Sequence, residues 1–226
     1  MFKNKEIKDT FQAFLVDGAD FTDIEQYPIL EKDMISNDIP NKIISFDKYR
    51  EEKDLSNCFI CFYAPDESFE KVRRNPRRYL DLFKRCKGII GFDFSVHTDM
   101  PLIKQKSQMN DNLSLTFYYA KQGIKVIPNI RYGIEDTADE YLKSFPKNTL
   151  IAVGTHGFIK TKLQKYYWLR FLEKIIEELN PTGIIVYGTL NGLIFDSIKK
   201  KVPIYCYDSW IDKRVKGVNK NVNKRS

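Results

Sequence analysis

The stretch Ile89-Ile90-Gly91-Phe92-Asp93-Phe94-Ser95 is a short apolar run that closes on polar side chains, and the chain repeats that design. Such runs occupy residues 58–63, 89–94, 124–130, 150–153, 183–187 and 203–207, with helix-compatible stretches between them. Short, near-continuous apolar runs read as strands buried on both faces, and strands alternating with helices predict a mostly parallel sheet. The polar residues at or just past the run ends are Asp93, Ser95, Asn129, Arg131, Thr155, His156, Tyr187 and Asp208. Parallel sheets hold ligands at the carboxyl ends of their strands, so these residues mark where a site belongs. The fold expected is α/β, a single mainly parallel sheet forming an irregular or incomplete (β/α) barrel in preference to an open doubly wound sheet. A barrel gathers every strand end at one mouth; an open sheet gathers only those near its switch point.

The connections are expected to be helical. A helix opens at Pro65-Asp66-Glu67, and Pro76 interrupts it. A long helix covers about 102–122 and closes on Gly123. A short helix spans 137–145, and the helix over 160–179 is expected to be the longest and most amphipathic. Pro128, inside the third run, marks an edge or a bulge, since proline lacks the N–H a ladder needs.

A length of 226 residues with 42% hydrophobic side chains suits one α/β domain with a small addition. Charge divides it. Residues 1–57 are net −5, residues 58–210 are net +7 and residues 211–226 are net +5. The organisation expected is an irregular acidic wrapping segment over 1–57 with a candidate first strand at 43–46, an α/β core over 58–210, and a basic mobile tail over 211–226. A core that is basic in its own right favours phosphate-bearing partners. No apolar run approaches the roughly 18 residues that span a bilayer, and no signal-peptide core is present at the start. A cytoplasmic protein without membrane contact is expected. Cys58 and Cys61 form a C-x-x-C within a strand, where odd spacing sends the two thiols to opposite faces. They read as reduced, buried cysteines.

Four constellations carry chemistry. Residues 92–101 bring Asp93, Ser95, His97, Thr98 and Asp99 to one strand end, a set that suits a divalent cation or acid–base work; equally, Asp99 can cap the next helix. Asn129 and Arg131 fall on the same side of an extended segment, an amide beside a guanidinium, which recognises anions or bases; Asp93 or Glu135 is the expected internal partner of Arg131. The glycine-flanked loops 154–157 and 188–192 follow strands and can turn backbone N–H groups toward phosphate. The run 71–78 concentrates five cations on what is either a solvated face or a phosphate-contacting one. The aromatics of Lys165-Tyr166-Tyr167-Trp168 and Phe171 read as core packing, with base stacking as the lesser reading.

The series F-Y-A-P-D-E-S-F-E, N-P-R-R-Y-L, F-D-F-S-V-H-T-D-M-P, Q-G-I-K-V-I-P-N-I-R-Y-G, V-G-T-H-G and P-T-G-I-I-V-Y-G resembles the family catalogued as domain of unknown function 4417. The resemblance covers about residues 58–191. It implies a phage or mobile-element context, and Asp93, Ser95, Asp99, Pro101, Asn129, Gly154, Tyr187 and Gly188 match its motif positions. Phe92 stands where the family has proline, and Arg131-Tyr132 where many members have tryptophan. The function expected is binding of nucleic acid or a nucleotide at the strand ends. Arg131, Gly154, Thr155 and Gly188 would take phosphate, while Asp93, Asp99 and Asn129 would orient the ligand or a cation, with Ser95, Tyr187 and Asp208 as further ligand-binding residues. One alternative is a metal-assisted hydrolase of nuclease or phosphatase type, using Asp93, Asp99, His156 and Asp208 with a divalent cation. Another is an interaction protein or decoy for a host factor.

Overall fold

The computed structural model describes residues 9, 11–155, 161–188 and 192–209. The candidate strand at 43–46 and the six apolar runs become β1 (Lys42–Ser45), β2 (Cys58–Cys61), β3 (Gly88–Ile90), β4 (Val126–Ile127), β5 (Leu150–Gly154), β6 (Gly183–Tyr187) and β7 (Ile204–Tyr207). All pairings between these strands are parallel, and neighbours follow chain order, β1-β2-β3-β4 in one sheet and β5-β6-β7 in a second. The expectation of a single sheet is therefore corrected to two, and Pro128 explains the division. One edge of β4 bonds to β3, with the Gly91 N–H donating to Ile127 O. Along the other edge, Ser36 N–H donates to Val126 O and Ala152 N–H to Pro128 O, while Ile130 N–H returns a bond to Ala152 O. The missing N–H of Pro128 faces the gap where this edge passes from the Ile35-Ser36 segment to β5. The two sheets meet there in one parallel bridge, Asn129 with Ala152. Pro128 thus lies between two partners rather than on a free edge.

Period-2 alternation explains why the runs are apolar throughout. One face of the strands contributes Ile43, Phe59, Ile90, Ile127, Ala152, Ile185 and Tyr205, from all seven strands, to a shared interior. The other face, with Ile60, Ile89, Val126, Ile151, Val153 and Ile184, packs under the helices. No hydrogen-bonded ladder among the described residues joins β7 to β1. There the Tyr207 hydroxyl donates to Pro40 O at 2.5 Å.

The helices are α1 (Asp66–Arg74), α2 (Leu80–Lys84), α3 (Leu102–Lys121), α4 (Ala138–Leu142), α5 (Lys162–Leu179) and α6 (Gly192–Lys199). Pro76 breaks the first helical segment as expected, opening a 3-10 turn over Pro76–Tyr79. α3 stops before Gly123, whose φ of 81° is easy only for glycine. At 20 residues α3 exceeds the 18 of α5, so α5 is not the longest. α5 opens on a reciprocal capping box between Thr161 and Gln164. Residues 11–40 are mostly irregular but send Leu15, Tyr27, Leu30 and Ile35 into the helix-side core. No helix of the described residues is long and apolar enough to cross a membrane. Cys58 and Cys61 are buried free thiols in different apolar clusters, as odd spacing requires. The tail over 211–226 lies outside the described residues.

Phe92 is stacked on Phe62 with centroids 3.9 Å apart and is 1% exposed. Phe92→Ala should lower unfolding free energy by about 3–5 kcal/mol, read from the urea midpoint at unchanged slope. Glu140 accepts the Ile24 N–H at 2.8 Å, and this bond, aided by Lys143, lowers its carboxyl from 4.5 to about 2. A depressed folded-state value means the contribution is present at neutral pH and fades as pH falls from 4.5 toward 2. Glu140→Gln should flatten the acid limb of a stability–pH curve across that window.

Candidate functional site

β3 ends early for a local reason. Beyond Gly91 the backbone leaves its ladder because polar side chains in the middle of α3 take over its hydrogen bonds. Phe92 N–H donates to Thr116 Oγ1, Phe94 N–H donates to Asn112 Oδ1, and Asn112 Nδ2 donates back to Phe94 O. All of these groups are buried, where an unpaired amide is costly. Phe92 and Phe94 are thereby held in the aromatic core, and Asp93, between them, points the other way.

Asp93 is 7% exposed and meets two partners from the segment after β4. Asn129 Nδ2 donates to Asp93 Oδ1 at 2.8 Å and to Phe92 O at 2.9 Å. Arg131 Nε forms an ion pair with the same Oδ1 at 2.9 Å. The expected internal partnership of Arg131 is thus with Asp93, while Glu135 faces Arg170. Burial raises the Asp93 carboxyl above its usual range, and the guanidinium and amide oppose that shift. Gly91 permits the approach of the two strands, since a Cβ there would sit 2.9 Å from the Asn129 backbone nitrogen.

Tyr63, just past β2, completes the cluster. Its hydroxyl donates to Asn129 Oδ1 at 2.8 Å, so both ends of that amide are used. Its ring stacks on Tyr187 at 5.2 Å, and a Cβ on Gly154 would come within 2.7 Å of it. Burial pushes the Tyr63 phenol well above its ordinary value and the Cys61 thiol to about 12, so both stay neutral at physiological pH. Tyr63 was missed in the sequence reading; its place at the end of the 58–63 run was the available signal. Asp66 was missed too, having been read only as a charge in the first turn of a helix. Its carboxylate accepts both the N–H and the hydroxyl of Ser95, tying the 92–95 loop to the start of α1.

The structure thus joins Asp93, Asn129, Arg131, Gly154 and Tyr187 through Tyr63. Ser95 turns to Asp66 instead. Asp99 and His97 are exposed in the segment before α3, and Asp99 makes no side-chain cap on that helix, so the expected cap is absent. Asp93 and Asp99 are divided between interior and solvent. Asp208 is exposed just past β7. His156 lies outside the described residues, as do residues 157 and 189–191 of the glycine loops. The N–H groups that open those loops already serve the ladder: Thr155 donates to Tyr187 O and Gly188 to Tyr207 O. No three His, Cys, Asp or Glu side chains converge as metal ligands among the described residues. In the 71–78 run, Arg73 pairs with Glu70 and Asp111, Arg74 with Glu70, and Arg77 lies over the Phe14 ring. That run is largely occupied within the fold.

A buried ion pair loses most when one partner is left alone. Asp93→Ala and Arg131→Ala should each cost about 3–5 kcal/mol in urea unfolding. The double variant should cost clearly less than their sum, and a double-mutant cycle measures the difference.

The sequence profile of the family described as domain of unknown function (DUF4417) matches residues 23–207. The "Gene 1 protein" of Mycobacterium phage L5 is 27% identical over 129 residues, which cover 57% of this chain and 56% of that protein. The "Gene 1 protein" of Mycobacterium phage D29 is 24% identical over 143 residues, covering 63% of this chain and 53% of that protein. The chain therefore spans about half the length of these curated relatives. No solved structure matches it. With over half of its length inside the family pattern and with relatives in mycobacteriophages, the chain belongs to the DUF4417 family.

Proposed function

We propose that this protein binds nucleic acid or a nucleotide at the carboxyl ends of its parallel strands, on an incomplete (β/α) barrel. Support for the scaffold comes from strand neighbours that follow chain order, an interior shared by all seven strands, and the Tyr207–Pro40 contact across the remaining gap. The observation that carries the function is the convergence of Asn129 and Arg131 on the Asp93 carboxylate at one strand end. Asp93 fixes the guanidinium in place. The Arg131 side chain is 17% exposed against 8% for Asp93, so the cation is the more accessible member of the pair. A held, planar guanidinium suits a phosphate oxygen, with Asn129 and the stacked Tyr63 and Tyr187 as its polar and aromatic surroundings. The net +7 formal charge of the chain draws polyanions toward it.

Calorimetric titration with mononucleotides and short oligonucleotides across a range of salt tests this. Binding should weaken steeply as salt rises. Arg131→Lys keeps a cation beside Asp93 but loses the planar fork, so it should bind about tenfold or more weakly while remaining folded. Absence of binding to any nucleotide, DNA or RNA by the wild-type chain at low salt would remove the proposal.

A further inference from the structure

α5 has two faces of opposite character. Trp168, Leu172, Ile175 and Leu179 are buried. Leu163, Tyr166, Tyr167 and Arg170, spaced i, i+3, i+4 and i+7, form a stripe on the other side of the helix. Leu163 is 62% exposed, Tyr166 58% and Tyr167 63%. The expectation that these tyrosines pack in the core is therefore corrected: of the three consecutive aromatics only Trp168 turns inward. The two tyrosine rings stand edge to face with centroids 5.7 Å apart. Lys162 is exposed beside them and Lys165 partly so, and the sequence holds no acidic residue from 157 to 172. Arg170 faces Glu135 at 3.5 Å, with both side chains more than half exposed, so the pair is weak. The stripe begins near the carboxyl end of β5, and Phe171 packs on Tyr132, the residue after Arg131, at 4.6 Å. That contact ties α5 to the segment after β4.

We propose that Tyr166 and Tyr167 form a base-stacking platform for single-stranded nucleic acid, with Lys162 and Lys165 meeting its phosphates. The proposal takes its ligand class from the function proposed above but rests on a separate surface. Exposed aromatic rings beside cations are the chemistry that binds unpaired bases, whereas a duplex keeps its base faces stacked away. A second copy of the chain is the poorer occupant. A two-fold contact through this stripe would set the cations Lys162, Lys165 and Arg170 against the same set of cations on the other copy.

Fluorescence anisotropy of the full chain with labelled oligothymidylate and with a labelled duplex provides the test. Tyr166→Ala/Tyr167→Ala should weaken single-strand binding by about tenfold or more, leaving duplex binding within roughly twofold. Tyr166→Phe/Tyr167→Phe should retain wild-type affinity, since stacking needs only the ring. The rings are exposed, so neither variant should alter the circular dichroism spectrum. Wild-type affinity in the alanine variant would overturn the platform, as would equal losses in the alanine and phenylalanine variants. So would sedimentation showing a wild-type dimer that the alanine variant splits, or wild-type binding to anionic vesicles and not to the oligonucleotide. A chain whose oligothymidylate binding survives Arg131→Lys but not Tyr166→Ala/Tyr167→Ala removes the strand-end site and supports the platform. One that binds mononucleotide but holds oligothymidylate no tighter does the reverse.

Discussion

Every strand among the described residues runs in the same direction, and each sends alternate side chains into one apolar interior. Ile43, Phe59, Ile90, Ile127, Ala152, Ile185 and Tyr205 meet there although they come from two ladders. Burial of that shared face, at about 25 cal/mol per Å² of apolar surface, sets the registers of both ladders. The single Asn129–Ala152 bridge supplies little by comparison. Once directions and registers agree, the polar residues after the strands have to lie toward the same end. The position of the candidate site follows from the way the core is filled.

The site depends in turn on an exchange of hydrogen bonds between a strand and a helix. Asn112 and Thr116 are poor choices for the middle of a helix by propensity alone. Here they replace the ladder that the chain abandons after Gly91. That replacement lets Phe92 and Phe94 enter the aromatic core while Asp93 meets Asn129 and Arg131. A buried carboxylate held by a guanidinium and an amide adds little net stability, because desolvation offsets most of the attraction. Its main effect is to fix orientation, which suits a recognising group better than a proton-transferring one.

α5 shows the other half of the pattern. Its inward stripe is ordinary packing, but its outward stripe places two tyrosines and a leucine in water. Large exposed rings in a cluster mark contact surfaces more often than isolated ones do. The polar cluster at the strand ends and the aromatic-basic stripe on α5 are two separate features of the molecule. The family pattern over residues 23–207 and the mycobacteriophage relatives give no chemistry for either. The residues themselves carry that part of the reading.

The strand positions, the parallel order and the break at Pro76 could all be read from the chain, because they follow from local periodicity and from the covalent limits of proline. The chain also narrowed the partner of Arg131 to Asp93 or Glu135, and packing chose Asp93. Other features arose only from residues far apart in sequence. Tyr63 is 66 positions from the Asn129 it bonds, and Asp66 is 29 from Ser95. No local pattern shows that a tyrosine closing one strand roofs the next site, or that an acidic residue at a helix start faces a loop rather than its own helix. The division of three consecutive aromatics into one buried and two exposed was likewise settled by which side of α5 met the sheet. Periodicity reports that a stripe exists; only the packing of neighbouring elements decides which stripe is covered.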